Sequence, residues 1–181
     1  MNTLYGEVSS HLLKTSEKIK LLVCDVDGVF SDGRIYLGND GEELKAFHTK
    51  DGLGIKSLGN SGVDVAIITG RTSAIVKNRM TALNVKHIIQ GQENKLPALI
   101  DLAKELNLAL TQIAYIGDDV PDIACIKAVG LGIAVQDAHP LTLHAADYIT
   151  FTRGGFGAVR ETCDLIMQSQ NNLDKVAGAS L

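Results

Sequence analysis

The chain alternates short, continuous apolar runs with longer segments whose apolar residues recur at helical spacing. The apolar runs predict buried strands at 19–24, 63–68, 86–89, 112–116, 131–135 and 147–151. The segments between them predict helices at 50–59, 72–82, 95–106, 120–127, 140–145 and 156–168. Strands that alternate with helices over short connections are typical of a parallel sheet with helices on both faces. The pattern therefore predicts an α/β fold with a doubly wound, Rossmann-like parallel sheet.

Three segments lie outside this alternation. Leu4, Val8 and Leu12 recur at helical spacing and predict a short helix before the first strand. Two short segments around an Asn/Asp/Gly turn predict a β-hairpin insertion at about 33–47. The small and polar residues 169–181 predict a flexible tail. The chain has 181 residues without a repeat or linker, which predicts a single domain over 1–181.

Composition narrows the function classes. A net charge of −4 gives no basic footprint for nucleic acid or for an anionic membrane. No apolar run approaches the ~20 residues of a membrane span, and no signal segment precedes the first strand. The scattered Cys24, Cys125 and Cys163 are typical of buried thiols in a reducing compartment. We expect a cytoplasmic protein that binds neither nucleic acid nor membrane.

Acidic residues follow two of the predicted strands. Asp25 and Asp27 close the first strand, and Asp118 follows the strand at 112–116. Ligands of such folds bind beyond the carboxyl ends of the strands, where the winding reverses. Like charges one residue apart crowd each other, which suggests that they hold a cation. Asp25 and Asp118 together suit Mg²⁺, which prefers oxygen ligands.

Other polar residues near these strand ends allow two interpretations. Asp119 and Asp122 flank Pro121, so they either cap a helix or belong to the site. Lys95 begins a helix, where the macrodipole disfavours a cation, so it is either a surface lysine or paired with a nearby anion.

Two further groups suit an anion. Thr69, Gly70 and Arg71 combine a hydroxyl, a bare backbone and a guanidinium, which together suit a phosphate oxygen, although Thr69 also suits a helix cap. His48 and Lys50 open a helix and either bind an anion or are solvated loop residues.

The order of these residues resembles four motifs of the haloacid dehalogenase superfamily of phosphohydrolases. The resemblance extends over about 19–168. The runs at 25–33, 48–52, 68–71 and 154–161 also resemble a branch that acts on phosphates of eight-carbon 2-keto sugar acids, with relatives acting on nine-carbon ones. The motifs are Asp25-Val26-Asp27-Gly28, Thr69, Lys95 and Gly117-Asp118-Asp119-Val120-Pro121-Asp122.

The resemblance implies a role for each acid. Asp25 would attack phosphorus and form an aspartyl-phosphate, and Asp27 would move protons as general acid and base. The carboxylates of Asp25 and Asp118 and the backbone carbonyl of Asp27 would hold Mg²⁺. Asp119 and Asp122 would support the metal waters and Lys95.

The resemblance also implies how substrate is held. Thr69 and Lys95 would hold the phosphoryl oxygens. Neither interval between the motifs has room for a cap domain, so the family's solution, a homotetramer built through the hairpins, is expected here. The candidates to bind the sugar carboxylate would then be Arg71 with Gly70, His48 and Lys50, and also Arg153 or the tail of a neighbouring subunit.

Two alternatives from other classes stay open. A receiver-type signalling domain also places aspartates, a Thr and a Lys around Mg²⁺, but its acid pair is adjacent, whereas Asp25 and Asp27 are spaced by one. A non-catalytic assembly subunit could keep the fold. The presence of Asp25, Asp27, Thr69, Lys95 and Asp118 together argues against it.

Overall fold

The computed structural model of the protein describes residues 2–174 and confirms the predicted α/β architecture. Within that range, six short strands form one sheet and two more form a separate hairpin. The strands are β1 (Leu21–Cys24), β2 (Tyr36–Leu37), β3 (Glu43–Leu44), β4 (Asp64–Ile68), β5 (His87–Ile89), β6 (Ile113–Gly117), β7 (Leu131–Ala134) and β8 (Tyr148–Ile149).

The order of the large sheet is β5-β4-β1-β6-β7-β8, and its pairings are parallel. The chain winds outwards from β1 through β4 to β5, and then starts again on the other side with β6. The winding therefore reverses between β1 and β6, which is where such folds bind their ligands. Leu21 is in register with both Asp64 and Ile113, so β1, β4 and β6 end at the same edge.

Helices cover both faces of the sheet. Along β1, Leu22 and Cys24 pack into one apolar cluster, and Leu21 and Val23 pack into the other, because successive side chains of a strand point to opposite faces. The helices are α1 (Ser10–Ser16), α2 (Thr49–Asn60), α3 (Ala74–Ala82), α4 (Lys95–Glu105), α5 (Ile123–Ala128), α6 (Pro140–Ala145) and α7 (Ala158–Ser169).

The predicted helix that includes Leu4 is wrong in its first part. Residues 2–7 form a tight loop, in which the amide of Thr3 donates to the carbonyl of Gly6 over 2.8 Å. The hydroxyl of Thr3 donates to the same carbonyl, which draws the backbone away from helical bonding. Leu4 is 64% exposed, and α1 begins only after Ser9, whose side chain caps it.

Other boundaries shift for local reasons. The predicted helix at 120–127 is divided into a 3-10 turn around Pro121 and the helix α5. The last helix begins at Ala158, since Gly157 has a φ of +114° that no α-helix accommodates. It ends at Ser169, and residues 175–181 of the predicted tail lie outside the described residues.

The predicted hairpin is confirmed, with a paired region of four residues. Tyr36 pairs with Leu44, and Leu37 pairs with Glu43. Each face of the hairpin carries an exposed leucine, because Leu37, opposite Glu43, is 70% exposed and Leu44, opposite Tyr36, is 60% exposed. Between residues 27 and 69, the described chain forms this hairpin, α2 and β4, without an inserted cap domain. None of the helices within residues 2–174 has the length and hydropathy needed to span a bilayer.

Candidate active site

Two neighbouring strands deliver a buried acid, Asp25, and a half-buried acid, Asp118, to the point where the winding reverses. Asp25 directly follows β1, and its amide donates to the carbonyl of Ile116 on β6 over 3.0 Å. Asp118 follows β6 itself. Carboxylate oxygens of Asp25, Asp118 and Asp122 lie within 4.8 Å of one another, close enough to share one metal ion. The structure thus brings together the acids that the sequence placed on separate strands.

A glycine allows the turn after β1 to approach Asp118. Gly28 has a φ of +85°, and a Cβ at that position would lie 2.1 Å from Oδ2 of Asp118. A side chain at Gly28 would therefore displace the Asp118 carboxylate. The Asp-x-Asp-Gly run thus ends with the one residue type that leaves this carboxylate room beside Asp25.

Lys95 lies between the acids and is not a surface residue. Its ammonium is 2.9 Å from Oδ1 of Asp25 and 2.6 Å from Oδ1 of Asp122, and it is 3% exposed. Of the two interpretations of Lys95, the structure therefore supports the pairing with nearby anions. The first residue of α4 therefore neutralises part of the acidic cluster.

Asp122 organises the site through all of its acceptor positions. Oδ1 accepts from Lys95 and, over 2.7 Å, from the hydroxyl of Tyr115, while Oδ2 accepts from the amides of Asp118 and Asp119. Because both oxygens are occupied, Asp122 fixes the loop after β6, and Asp25 and Asp118 are left as the better metal ligands. Asp119 caps the following turn by accepting from the amide of Val120.

Tyr115 was not anticipated from the sequence. It belongs to the apolar run of β6 and is fully buried. A buried tyrosine hydroxyl nearly always has a hydrogen-bond partner. That rule was the available signal, although it does not identify the partner.

The cluster holds more negative than positive charge. Burial, followed by repulsion from Asp122, raises the pKa of Asp25 even though Lys95 opposes the shift. Burial, followed by repulsion from Asp25 and Asp122, raises the pKa of Asp118. Burial acts to lower the pKa of Lys95, but Asp25 and Asp122 outweigh it and raise the pKa.

A cation fits this arrangement. Oδ1 of Asp25 is buried, and apart from its ion pair with Lys95 it has no hydrogen-bond partner. A bound divalent ion would satisfy that oxygen and offset the crowding of Asp25 and Asp118.

The residues after β4 form the wall beside the acids. Thr69 is 2% exposed, and its amide donates to the carbonyl of Ile89. A Cβ on Gly70 would meet no atom closer than 3.9 Å, so its backbone is open to a ligand. The predicted site residues that line one cavity of about 610 Å³ are Asp25, Asp27, Thr69, Gly70, Arg71, Lys95, Asp118, Asp119 and Asp122.

Three predicted substrate-binding residues lie elsewhere in the described chain. His48 caps α2 by accepting from the amide of Lys50 over 3.1 Å, and neither residue lines this cavity. Arg153 forms an ion pair of 3.0 Å with Asp137. A role in binding for these three residues stays a prediction that would require a neighbouring subunit.

Lys45 and Glu43 are site residues that the sequence did not reveal. Nζ of Lys45 contacts Oδ1 of Asp27 and lies 3.3 Å from Oε1 of Glu43. Glu43 is in turn 3.2 Å from Nη2 of Arg71. The available signal was the alternation of charged and apolar residues along Glu43-Leu44-Lys45, but only the folded hairpin shows which face meets Asp27.

The fold, the acidic cluster and the buried lysine together define a haloacid dehalogenase-like hydrolase. The model of a family with that description matches residues 87–159. Over 179 residues the chain is 51% identical to the 3-deoxy-D-manno-octulosonate 8-phosphate phosphatase KdsC of Salmonella typhi, a match that covers 99% of this chain and 95% of that protein. The chain therefore belongs to the KdsC-type phosphatase family of the haloacid dehalogenase-like hydrolases.

Solved structures agree with this placement. The 3-deoxy-D-manno-octulosonate 8-phosphate phosphatase of Yersinia pestis has a TM-score of 0.95 and 50% identity, and covers 96% of this chain and 94% of its own. The Moraxella catarrhalis phosphatase of the same name has a TM-score of 0.92 and 46% identity, with 94% and 98% covered. That structure is a complex with a magnesium ion, a phosphate ion and a KDO molecule. The prediction of a phosphatase of the haloacid dehalogenase superfamily is confirmed.

Proposed function

We propose that this protein hydrolyses 3-deoxy-D-manno-octulosonate 8-phosphate to the free sugar acid and phosphate, as a cytoplasmic step of lipopolysaccharide synthesis. The observation that carries the proposal is the cluster of Asp25, Asp118 and Lys95, which lines an open cavity beside Thr69. Its charges suit a divalent cation and a phosphoryl group. The Moraxella relative was solved with magnesium, phosphate and KDO.

The chain's own residues supply two proton transfers and a nucleophile. Asp25 attacks phosphorus and forms an aspartyl-phosphate while Asp27 protonates the departing sugar oxygen. Asp27 then takes a proton from the water that attacks the phosphorylated Asp25. Lys95 and Thr69 hold the phosphoryl oxygens, so that charge developing on them meets fixed positive and hydroxyl groups.

Magnesium is the metal that we assign to the site. The carboxylates of Asp25 and Asp118 and the backbone carbonyl of Asp27 would hold it, with Asp119 and Asp122 as supports. When bound, Mg²⁺ neutralises charge between the phosphate and the carboxylates. The carboxylate of Asp25 would serve both as a ligand of the metal and as the nucleophile.

The sugar acid requires cations beyond the acidic cluster. Arg71, half-exposed at the cavity, and the open backbone of Gly70 are placed to contact it. His48 and Lys50 would contribute in an assembly of several copies. The exposed leucines of the hairpin, Leu37 on one face and Leu44 on the other, suit a homotetramer formed through the hairpins.

A panel of phosphates tests the proposed activity. The protein with Mg²⁺ is expected to release phosphate from 3-deoxy-D-manno-octulosonate 8-phosphate with a higher kcat/KM than from nine-carbon 2-keto sugar acid phosphates or glucose 6-phosphate. Preference for a nine-carbon acid would reassign the substrate. A stable phosphoprotein without phosphate release would instead favour the receiver-type alternative.

Metal removal tests the assignment of Mg²⁺. Chelation is expected to stop phosphate release, and Mg²⁺ is expected to raise the melting temperature of the metal-free protein, because it relieves repulsion between Asp25 and Asp118. The shift should shrink strongly in Asp118→Asn and persist in the matched variant Asp101→Asn, whose carboxylate is exposed on α4. An equal Mg²⁺ shift in both variants would move the metal elsewhere.

Light scattering tests the assembly. Wild-type protein is expected to have the mass of four chains, and Leu44→Glu, which places a charge on the outer surface of the hairpin, is expected to lower that mass. Leu141→Glu is the matched control, since Leu141 is 59% exposed and belongs to α6, not to the hairpin. A monomeric wild type would contradict the tetramer.

A further inference from the structure

Four side chains of alternating charge connect the hairpin to the proposed acid and base. Nζ of Lys45 contacts Oδ1 of Asp27 and is 3.3 Å from Oε1 of Glu43. The same oxygen of Glu43 lies 3.2 Å from Nη2 of Arg71, and Nε of Arg71 lies 4.0 Å from Oδ2 of Asp27. We call these four residues the charge ring. It joins the turn after β1, the strand β3 and the loop after β4.

The hairpin has two faces with different tasks. Successive residues of a strand point to opposite sides, so Glu43 and Lys45 share one face and Leu44 occupies the other. Leu44 is 60% exposed, whereas the side chain of Lys45 has no exposed surface. The hairpin therefore carries Leu44 and its cross-strand partner Tyr36 on one face, and Glu43 with the buried cation of Lys45 on the face toward Asp27.

Burial makes the position of this cation specific. An ammonium without access to water requires anionic partners, and those of Lys45 are Asp27 and Glu43. The lysine thereby ties one oxygen of Asp27 to the hairpin, while the other faces Arg71 at a longer distance. Asp27 itself keeps part of its surface exposed at the cavity, with a side chain 25% accessible.

We propose that Lys45 is a positioning residue that orients the carboxyl group of Asp27 for proton transfer to the departing oxygen. The inference rests on the proposed function, because it assumes that Asp27 is the acid. Lys45 acts through Asp27 and touches no reacting atom. The hairpin then contributes to the chemistry of its own chain, as well as carrying the surface proposed for assembly.

This role predicts an effect that depends on the leaving group. A sugar alkoxide is a poor leaving group and needs a proton as the bond to phosphorus breaks, whereas p-nitrophenolate departs without one. Loss of orientation at Asp27 should therefore slow cleavage of the sugar phosphate and spare cleavage of p-nitrophenyl phosphate. A merely structural role of Lys45 would slow both reactions alike.

Single-turnover rapid-quench measurements with Mg²⁺ test the proposal, since they isolate release of the leaving group from later steps. Lys45→Met keeps the aliphatic stem and removes the charge. We expect its rate with 3-deoxy-D-manno-octulosonate 8-phosphate to fall about thirtyfold and its rate with p-nitrophenyl phosphate to fall less than about threefold. Lys45→Arg should recover much of the lost rate, and Asp27→Ala should show the same selectivity at larger size.

Lys86→Met is the matched control, because Lys86 lies at the opposite end of the sheet in an exposed ion pair with Asp64. It should change neither rate. If Lys45→Met folds poorly, Glu43→Gln removes the outer partner of Lys45 and should show the same selectivity at smaller size.

The outcomes separate the two proposals. A wild type inactive on the sugar phosphate, or an Asp27→Ala variant without leaving-group selectivity, would refute the proposed function. Equal loss on both substrates in Lys45→Met, or no loss on either, with Asp27→Ala still selective, would overturn the role of Lys45 alone. If Lys45→Met folds poorly, equal loss on both substrates in Glu43→Gln, or no loss on either, would overturn the role of Lys45 instead.

Discussion

Two buried acidic regions of this protein differ in how their charges are satisfied. Glu161 on α7 is fully buried, and each of its oxygens has two donors: the Tyr148 hydroxyl and Phe151 amide on Oε1, and the Thr152 amide and hydroxyl on Oε2. The buried Oδ1 of Asp25 has an ion pair with Lys95 but no further hydrogen-bond partner, and Asp25 lies near two other carboxylates. A buried acid that the protein satisfies itself serves the fold, whereas a crowded one is prepared for a ligand.

The two regions are also mechanically connected. Glu161 fixes the segment after β8, and the amide of Gly155 in that segment donates to the carbonyl of Val29 over 2.9 Å. A Cβ on Gly154 would lie 1.7 Å from the carbonyl oxygen of Gly28. The satisfied acid thus supports the turn that carries Asp27 and Gly28.

The largest expected effect is loss of catalysis in Asp25→Asn. Removing the proposed nucleophile should lower phosphate release more than about a thousandfold. The melting temperature of the metal-free variant should not fall below that of the wild type, because the substitution removes one of the crowded charges. Assays of phosphate and of melting temperature check both points. An Asp25→Asn variant with substantial activity would contradict the mechanism.

Glu161→Gln should show the reverse behaviour. The amide presents a donor where Oε2 now accepts from Thr152, so we expect a loss of about 2–4 kcal/mol in the free energy of unfolding. Activity per folded molecule should change much less than in Asp25→Asn. Glu105→Gln is the matched control, because Glu105 is exposed on α4. Denaturant titration measures the difference in the free energy of unfolding, and equal stabilities of the two variants would contradict a structural role of Glu161.

Asp51 is an intermediate case between Glu161 and Asp25. One oxygen accepts from the amide of Arg160 over 2.8 Å, the other has no hydrogen-bond partner, and burial raises the pKa of Asp51 to about 6. A raised folded pKa means that stability from this group is present below pH 4 and is lost as pH rises towards 6. At high pH, the ionisation of buried Asp51 lowers the free energy of unfolding by about 3 kcal/mol.

Asp51→Asn should therefore stabilise the protein at high pH. The gain over wild type is expected to be about 1–2 kcal/mol larger at pH 8 than at pH 5. Asp64→Asn, at an exposed position, should show little pH dependence relative to wild type. Unfolding curves at the two pH values measure these gains in stability. A gain for Asp51→Asn that is larger at pH 5 than at pH 8 would contradict a raised pKa of Asp51.

The sheet was predictable because buried parallel strands form continuous apolar runs. The order of strands around β1, and hence the meeting of Asp25 and Asp118, follows from rules for doubly wound sheets. The helix predicted at Leu4 was wrong because a loop can also place apolar residues at helical spacing. Here the Thr3 hydroxyl donates to the Gly6 carbonyl and favours the loop over the helix.

The site was predictable where residues sit at strand ends and unpredictable where distant segments meet. Thr69, Lys95 and Asp122 could be inferred from their positions beside strands and helices. The contacts of Lys45 and Tyr115 could not, because each depends on how one segment lies across another. Pairing of charges across the hairpin is a tertiary property that local patterns do not encode.

Asp25 is the proposed nucleophile, and rapid acid quenching can capture its phosphorylated form. Wild-type protein mixed with Mg²⁺ and 3-deoxy-D-manno-octulosonate 8-phosphate should be quenched within one turnover, digested and analysed by mass spectrometry. We predict a phosphoryl group on the peptide that carries Asp25, absent in Asp25→Asn. Phosphate released in the first turnover without phosphorylation of Asp25, or phosphorylation of another residue, would contradict the account.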